Sequence, residues 1–231
     1  MLIKQWLHHR RFTQQLKALE NSPLSDIYRP PEVEQQSFED ADCLVLDFET
    51  TGLNPKNDRV LSAGWTIISG ARMHWKDCRH YLLKDTEAIP DQSVAIHHIT
   101  EQEAAQGVPV TEVLPRLLAK LSGKILVAHF ADIEIGFLQQ LCRQHYHIDI
   151  PLVVIDTLQL AFSVKYKGAV HIPQNALNLT SLRMQYDLPR YCAHNARTDA
   201  IATAELLMTL VNHLKDGDKT ALSRLLKLAK N

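Results

Sequence analysis

"CLVLDFETTGL" (Cys43–Leu53) joins a strongly apolar run to two acids and a polar turn. The run has the length and composition of a buried β-strand. Side chains alternate across a strand, so Asp47 and Glu49 share one face while Leu46 and Phe48 share the other. Two carboxylates at the end of a buried strand are costly to place unless something cationic compensates them.

Outward from this strand, two further stretches aim acids at the core. In "LVAHFADIEIGFL" (126–138), Asp132 is set at zero on a helical wheel. Ile133, Phe137, Leu138 and Leu141 then fall between roughly 100° and 240°, and Glu134 at about 200°. Asp132 falls with Gly136, Gln139, Gln140 and Arg143, on the polar side, where a helix start favours a negative charge. Glu134 is therefore an acid on the apolar side, with no lysine or arginine a turn away. In the last long helix, "AHNARTDAIATAELLMTLV", Asp199 lies at the edge of an apolar face formed by Leu206, Leu207, Leu210 and Leu214. His194 precedes it by five residues. Ala196, Ala200, Ala202 and Ala204 allow this helix to approach a neighbour closely.

Four acids on core-directed faces of three elements repel one another if they converge, which raises their pKa values. Divalent cations relieve that repulsion and suit hard oxygen donors. A pair of Mg²⁺ or Mn²⁺ ions held by Asp47, Glu49, Glu134 and Asp199 fits the cleavage of phosphodiesters. The imidazole of His194 is suited to deprotonating water near neutral pH.

The rest of the chain is read around these elements. Strands are expected at 42–48, 59–69 and 72–83, separated by "GLNPKND" and "SGAR", then at "KILVAH" and "PLVVID". Helices are expected at 3–20, 110–121, 132–146, 157–166, 176–186 and 196–214, with a loop through "IHHITEQEAAQGVP" (96–109). Three meandering strands followed by helix–strand alternation predict an α/β fold with a mixed five-stranded sheet flanked by helices. The domain is expected over 41–215, preceded by a helical extension and linker at 1–40 and followed by a helical tail at 216–231.

Composition narrows the function. The 231 residues are 45% hydrophobic and 22% charged, ordinary for one globular domain. No apolar run approaches a membrane span, and the N-terminus lacks the pattern of a signal peptide. Cys43, Cys78, Cys142 and Cys192 have neither disulfide nor zinc-knuckle spacing, so reduced thiols in a cytoplasmic protein are expected. The adjacent pairs His8-His9 and His97-His98 do not converge on one ion from a helix or strand. Net charge is −1, so any nucleic-acid contact must come from bound metal or a local patch such as Lys4, Arg10, Arg11 and Lys17.

Three motifs resemble those of the DEDDh 3′–5′ exonucleases, a family with the ribonuclease-H-like fold that includes RNase T and the epsilon proofreading subunit of DNA polymerase III. They are "LDFETTGL" (46–53), "AHFADIEIGFL" (128–138) and "HNARTDAIATAELL" (194–207). "AIHHIT" (95–100) is similar to the family's Val-His-Gly-Ile-Thr segment, and "VIDTL" (154–158) to its Asp-Thr-Leu. The resemblance implies metal ligation by Asp47, Glu49, Glu134 and Asp199, with Asp47 bridging two ions and His194 as general base. It implies that Thr50, Thr51 and Leu53 grip the terminal nucleotide, with His97 beside them. Four positions depart from the pattern: Glu134 stands for the usual Asp, Phe130 for Asn, Ile133 for Phe, and His98 for Gly.

The activity so implied is release of nucleoside 5′-monophosphates from the 3′ end of single-stranded DNA. RNA 3′-end trimming is an alternative with the same chemistry. A second alternative is a non-catalytic module that docks a polymerase or other protein through residues 1–19 and the tail. The chain lacks the long C-terminal arm of a committed polymerase subunit, which favours a stand-alone enzyme. No membrane partner is expected.

Overall fold

A computed structural model of the chain describes residues 2–34, 36–214 and 219–229, with side chains from residue 10 onward. The strands are β1 (Cys43–Thr50), β2 (Val60–Ser69), β3 (Arg72–Leu82), β4 (Ile125–Ala128) and β5 (Val154–Asp156). The helices are α1 (Leu2–Glu20), α2 (Asp91–His97), α3 (Glu101–Ala105), α4 (Val110–Leu121), α5 (Asp132–Tyr146), α6 (Thr157–Ala161), α7 (Leu179–Gln185), α8 (Ala196–Leu214) and α9 (Leu222–Leu228). The sheet order is β3-β2-β1-β4-β5. β1, β2 and β3 form an antiparallel meander, while β4 and β5 run parallel to β1. This is the expected mixed sheet.

The alternation along β1 sorts the core into two layers. Leu44, Leu46 and Phe48 pack with Leu114, Leu118, Phe137 and Leu138 of α4 and α5. Cys43 and Val45 face the other way, toward Leu206, Leu207 and Leu210 of α8 and toward Leu182 of α7. Asp47 and Glu49 continue this second face at the strand's C-terminal end.

Several expectations need correction. The stretch 96–109 is not simply a loop: α2 ends inside it and α3 lies within it. Thr100 and Glu103 form a capping box that starts α3, with each side chain bonding the other's backbone N–H. The helix expected at 176–186 is shorter, because Asn178 caps it by accepting from the Ser181 N–H. The helix expected at 157–166 changes after Ala161 into a wider π turn, Phe162–Tyr166. Gln139, assigned to the polar face of α5, is buried. Its amide donates to Ile150 O at 2.8 Å and accepts from Ile150 N at 2.9 Å, so a polar side chain serves as a second backbone for the loop after the helix.

Both extensions contact the body of the fold. Leu19, Leu24 and Tyr28 join the α4/α5 layer, and the Tyr28 hydroxyl donates to Pro151 O at 2.6 Å. Leu222 and Leu225 are buried in the α8 layer, and Ser37 and Ala221 pair as a short β-bridge. The boundary expected at 215/216 lies outside the described residues, as do the side chains of Lys4, His8 and His9. Arg11 pairs with Asp149 at 3.4 Å. All four cysteines are free thiols, and among the described residues no helix is long and apolar enough to cross a membrane.

Candidate active site

The site forms where β1 outruns β4. Pairing between these strands stops at Val45–Val127, so Asp47, Phe48 and Glu49 extend past it. On the other side, Asp47 lies opposite Gly64 of β2. A Cβ on Gly64 would sit 2.1 Å from the Ala196 carbonyl carbon, so only glycine lets the first turn of α8 press onto the sheet there. Asn195 caps that turn by accepting from the Thr198 N–H at 3.2 Å. Asp199 then projects beside Asp47. Carboxylate oxygens of Asp47, Glu49 and Asp199 lie within 4.8 Å of one another.

These acids stand in an electrostatic conflict. The Asp47 carboxyl is pushed well above the usual range, first by burial and then by the charges of Glu134, Glu49 and Asp199. Asp199 rises to about 6 through burial and the Glu49 charge, against the lowering effect of its bond from the His194 N–H. Glu134 is 4% exposed, and burial pushes its carboxyl up to about 8, with further contributions from Asp156 and Glu49. Glu134 lies beside the trio rather than within it. Its Oε2 and the Oε1 of Glu49 are buried without a hydrogen-bond partner. Asp132 is exposed, as the wheel placed it.

Two histidines complete the rim. His97, at the end of α2, contacts the Glu49 carboxylate through Nδ1. His194 lies in the loop before α8 with φ 68°, and its N–H donates to Asp199 Oδ2 at 2.8 Å. The two imidazoles meet edge to face, with centroids 6.0 Å apart. Glu49, His97 and His194 each offer a ligating atom within 4.8 Å of the others.

The turn after β1 is braced internally. The Thr50 hydroxyl donates to Gly52 O at 2.7 Å, and the Thr51 hydroxyl accepts from Arg59 N at 2.9 Å. Ser93 of α2 donates to Thr50 O at 3.1 Å, tying His97's helix to the strand end. Leu53 protrudes at 73% exposure, an apolar side chain with no packing role in the chain itself.

Other residues that shape the site were not singled out in the sequence. Asp156, noticed only as part of "VIDTL", accepts from the N–H groups of Phe130 and Ala131 at 3.1 Å each and from Leu158 at 2.8 Å, which fixes the entry to α5. His129 is bonded at both nitrogens, to Thr157 Oγ1 at 2.9 Å and Leu177 O at 3.0 Å. Its pKa is lowered to about 4 by burial, so the ring is neutral, and Nε2–H donates to the Leu177 carbonyl. Arg183, 4% exposed, pairs with Glu205 at 2.7 Å and donates to Pro189 O at 2.7 Å, while Tyr191 donates to Glu205 at 2.9 Å. This bracket holds the loop that carries His194. A lone arginine in a helix gives no sequence signal of that kind.

A five-stranded sheet in the order β3-β2-β1-β4-β5, with carboxylates gathered at the end of its first strand, defines a ribonuclease-H-like fold. Solved structures carry the same fold at low sequence identity. Exonuclease I of E. coli in complex with a dA16 oligonucleotide has a TM-score of 0.65 and 16% identity over 81% of this chain and 42% of that one. Exonuclease X in complex with 5′ overhanging duplex DNA has a TM-score of 0.61 and 21% identity, covering 81% of this chain and 99% of that one. A family profile described as "Exonuclease" matches residues 44–207. The chain belongs to this exonuclease family, of the DEDDh-like kind. Relatives include the PolC-type DNA polymerase III of Thermotoga maritima, 32% identical over 195 residues. That match takes in 84% of this chain but only 14% of the polymerase. The DNA polymerase III subunit epsilon of Treponema pallidum is 28% identical over 172 residues, 73% of this chain and 76% of that subunit.

Proposed function

We propose that the chain is a metal-dependent 3′–5′ exonuclease that releases nucleoside 5′-monophosphates from single-stranded DNA. The observation that carries this is the convergence of Asp47, Glu49 and Asp199 oxygens within 4.8 Å, with His194 tied to Asp199. The donor set fits Mg²⁺ or Mn²⁺: hard oxygens, shared negative charge, and buried lone pairs on Glu49 and Glu134 that no protein group satisfies. Asp47, Glu49 and Asp199, with Glu134 beside them, would hold two such ions. Bound there, the ions supply Lewis-acid stabilisation of charge on the phosphate.

The chain's own residues do the rest. His194, exposed at the mouth of the site, accepts the proton of the attacking water as the water adds to the terminal phosphorus. The P–O3′ bond breaks, and the 3′-oxygen of the remaining strand leaves and takes a proton from solvent. Thr50 and Thr51, their hydroxyls bracing the turn, present its backbone to the 3′ end, Leu53 wedges against the terminal base, and His97 orients Glu49. The DNA oligonucleotides bound by exonuclease I and exonuclease X support DNA as the substrate.

End-labelled DNA and RNA oligonucleotides of matched sequence, incubated with Mg²⁺ or Mn²⁺, test the reading. Asp47→Ala and Asp199→Ala are expected to abolish mononucleotide release, and His194→Ala to slow it about 100-fold or more. Robust activity in Asp199→Ala overturns the mechanism. Faster digestion of RNA reassigns the substrate. A wild type inactive with both metals, yet isolated in a stable complex with a polymerase, identifies a docking module instead.

A further inference from the structure

The geometry points to a second metal site, built from Glu49, His97 and His194 and suited to a borderline transition-metal ion such as Zn²⁺. Ligating atoms of the three residues lie within 4.8 Å of one another, a bound that admits the separation of about 3.3–3.4 Å which a tetrahedral ion with bonds of about 2.0–2.1 Å imposes on its donors. Glu49 is 4% exposed, and its Oε1 has no hydrogen-bond partner. His97 Nδ1 abuts the same carboxylate and has no hydrogen-bond partner among the described residues, so two ligating atoms already stand together where an ion would enter.

The donor chemistry separates this site from its neighbour. Asp47, Glu49 and Asp199 offer oxygen alone, the preference of Mg²⁺ and Mn²⁺. Two imidazole nitrogens and one carboxylate instead match the three-ligand sets that hold Zn²⁺ with a fourth position open. The ligands are also preorganised. Ser93 docks α2 on Thr50, which fixes His97 against Glu49, and Asp199 holds the backbone of His194. The burial gradient supplies an entry path: Glu49 is buried, His97 half-buried and His194 exposed. Occupancy recruits His194 as a ligand. On the reading of His194 as general base, this gives a reversible, metal-controlled off state, and the shared Glu49 sets that ion against the catalytic pair.

The test reads binding, so its outcome is independent of whether the chain proves to be a nuclease. Metal-free protein is titrated with Zn²⁺ by calorimetry, without nucleic acid. His97→Ala and His194→Ala are expected to weaken binding by about 100-fold or more, and Asp47→Asn to change it by less than about tenfold. X-ray absorption of the unmutated Zn²⁺ complex is expected to show two imidazole ligands, which guards against misfolding of a variant. If Asp47→Asn weakens binding as much as His97→Ala does, or if no imidazole scattering appears, the ion sits among the carboxylates and the proposal is overturned.

Discussion

His98 and Phe130 show what a single residue contributes. Both replace residues of the family pattern, Gly and Asn, and both have left-handed backbones, with φ 57° and 64°. Glycine carries no penalty there and asparagine little, whereas a larger side chain crowds the following carbonyl. Asp156 holds the backbone of Phe130 in this conformation through the N–H groups of residues 130 and 131. His98→Gly is therefore expected to raise stability by about 0.5–1 kcal/mol in urea denaturation, relief of the left-handed strain outweighing the freedom glycine adds to the unfolded chain. An unchanged midpoint would mean that the strain is absorbed elsewhere. The two acids of "DIE" separate at the same scale. Asp132 is exposed and Glu134 buried, so Asp132→Asn is expected to leave turnover within about twofold, while Glu134→Gln lowers it by about 100-fold or more. Equal effects of the two substitutions would remove Glu134 from the site. Face assignment made this pair legible in the sequence, because a wheel needs only the pattern of apolar neighbours.

At the scale of elements, long periodic segments were readable and short capped ones were not. β1 and α8 follow their hydrophobic repeats closely, and α5 does so apart from the buried Gln139. α2 and α3 span seven and five residues, too short for a repeat to emerge, though the Thr100–Glu103 capping box was a usable signal for the second. The site residues were legible where a motif carried them. The devices that aim them, such as the Arg183–Glu205 bracket, depend on contacts that no local pattern announces. Gly64 is the sharpest case. Its missing Cβ lets α8 seat its first turn on β2, opposite Asp47, and the atoms a methyl group would strike are backbone. No rotamer change can make room, so Gly64→Ala must lift α8 or bend β2. The expected cost is about 2–3 kcal/mol of stability. Displacing Asp199 and His194 by about 1 Å adds a fall in kcat of about 100-fold. A variant with full kcat would show that α8 need not sit this close.

At the scale of the whole molecule, the two segments that flank the domain meet. Leu222 N donates to Gln36 O at 3.0 Å and Phe38 N donates to Thr220 O at 2.9 Å, so the segment before β1 and the one before α9 lie side by side. The Thr220 N–H also donates to Glu39 at 3.0 Å, and Lys219 pairs with Asp40 at 2.7 Å. Leu222 and Leu225 then insert into the layer formed by Leu206, Leu207 and Leu210. A tail that serves as a docking arm for another protein keeps its apolar face for that partner; this one spends its leucines on its own domain. Leu222→Ala and Leu225→Ala are each expected to cost about 2–4 kcal/mol, since both side chains are fully buried, whereas the exposed Ser223→Ala changes stability by less than about 0.5 kcal/mol. Urea denaturation monitored by tryptophan fluorescence checks this, because Trp65 is buried in the sheet and reports on the core as a unit. If Leu225→Ala leaves the midpoint in place, the tail is dispensable to the fold and the docking-arm reading revives. If the midpoint falls as expected, α9 belongs to the same cooperative unit as β1 and α8, and the scaffold that positions the acids extends to the tail.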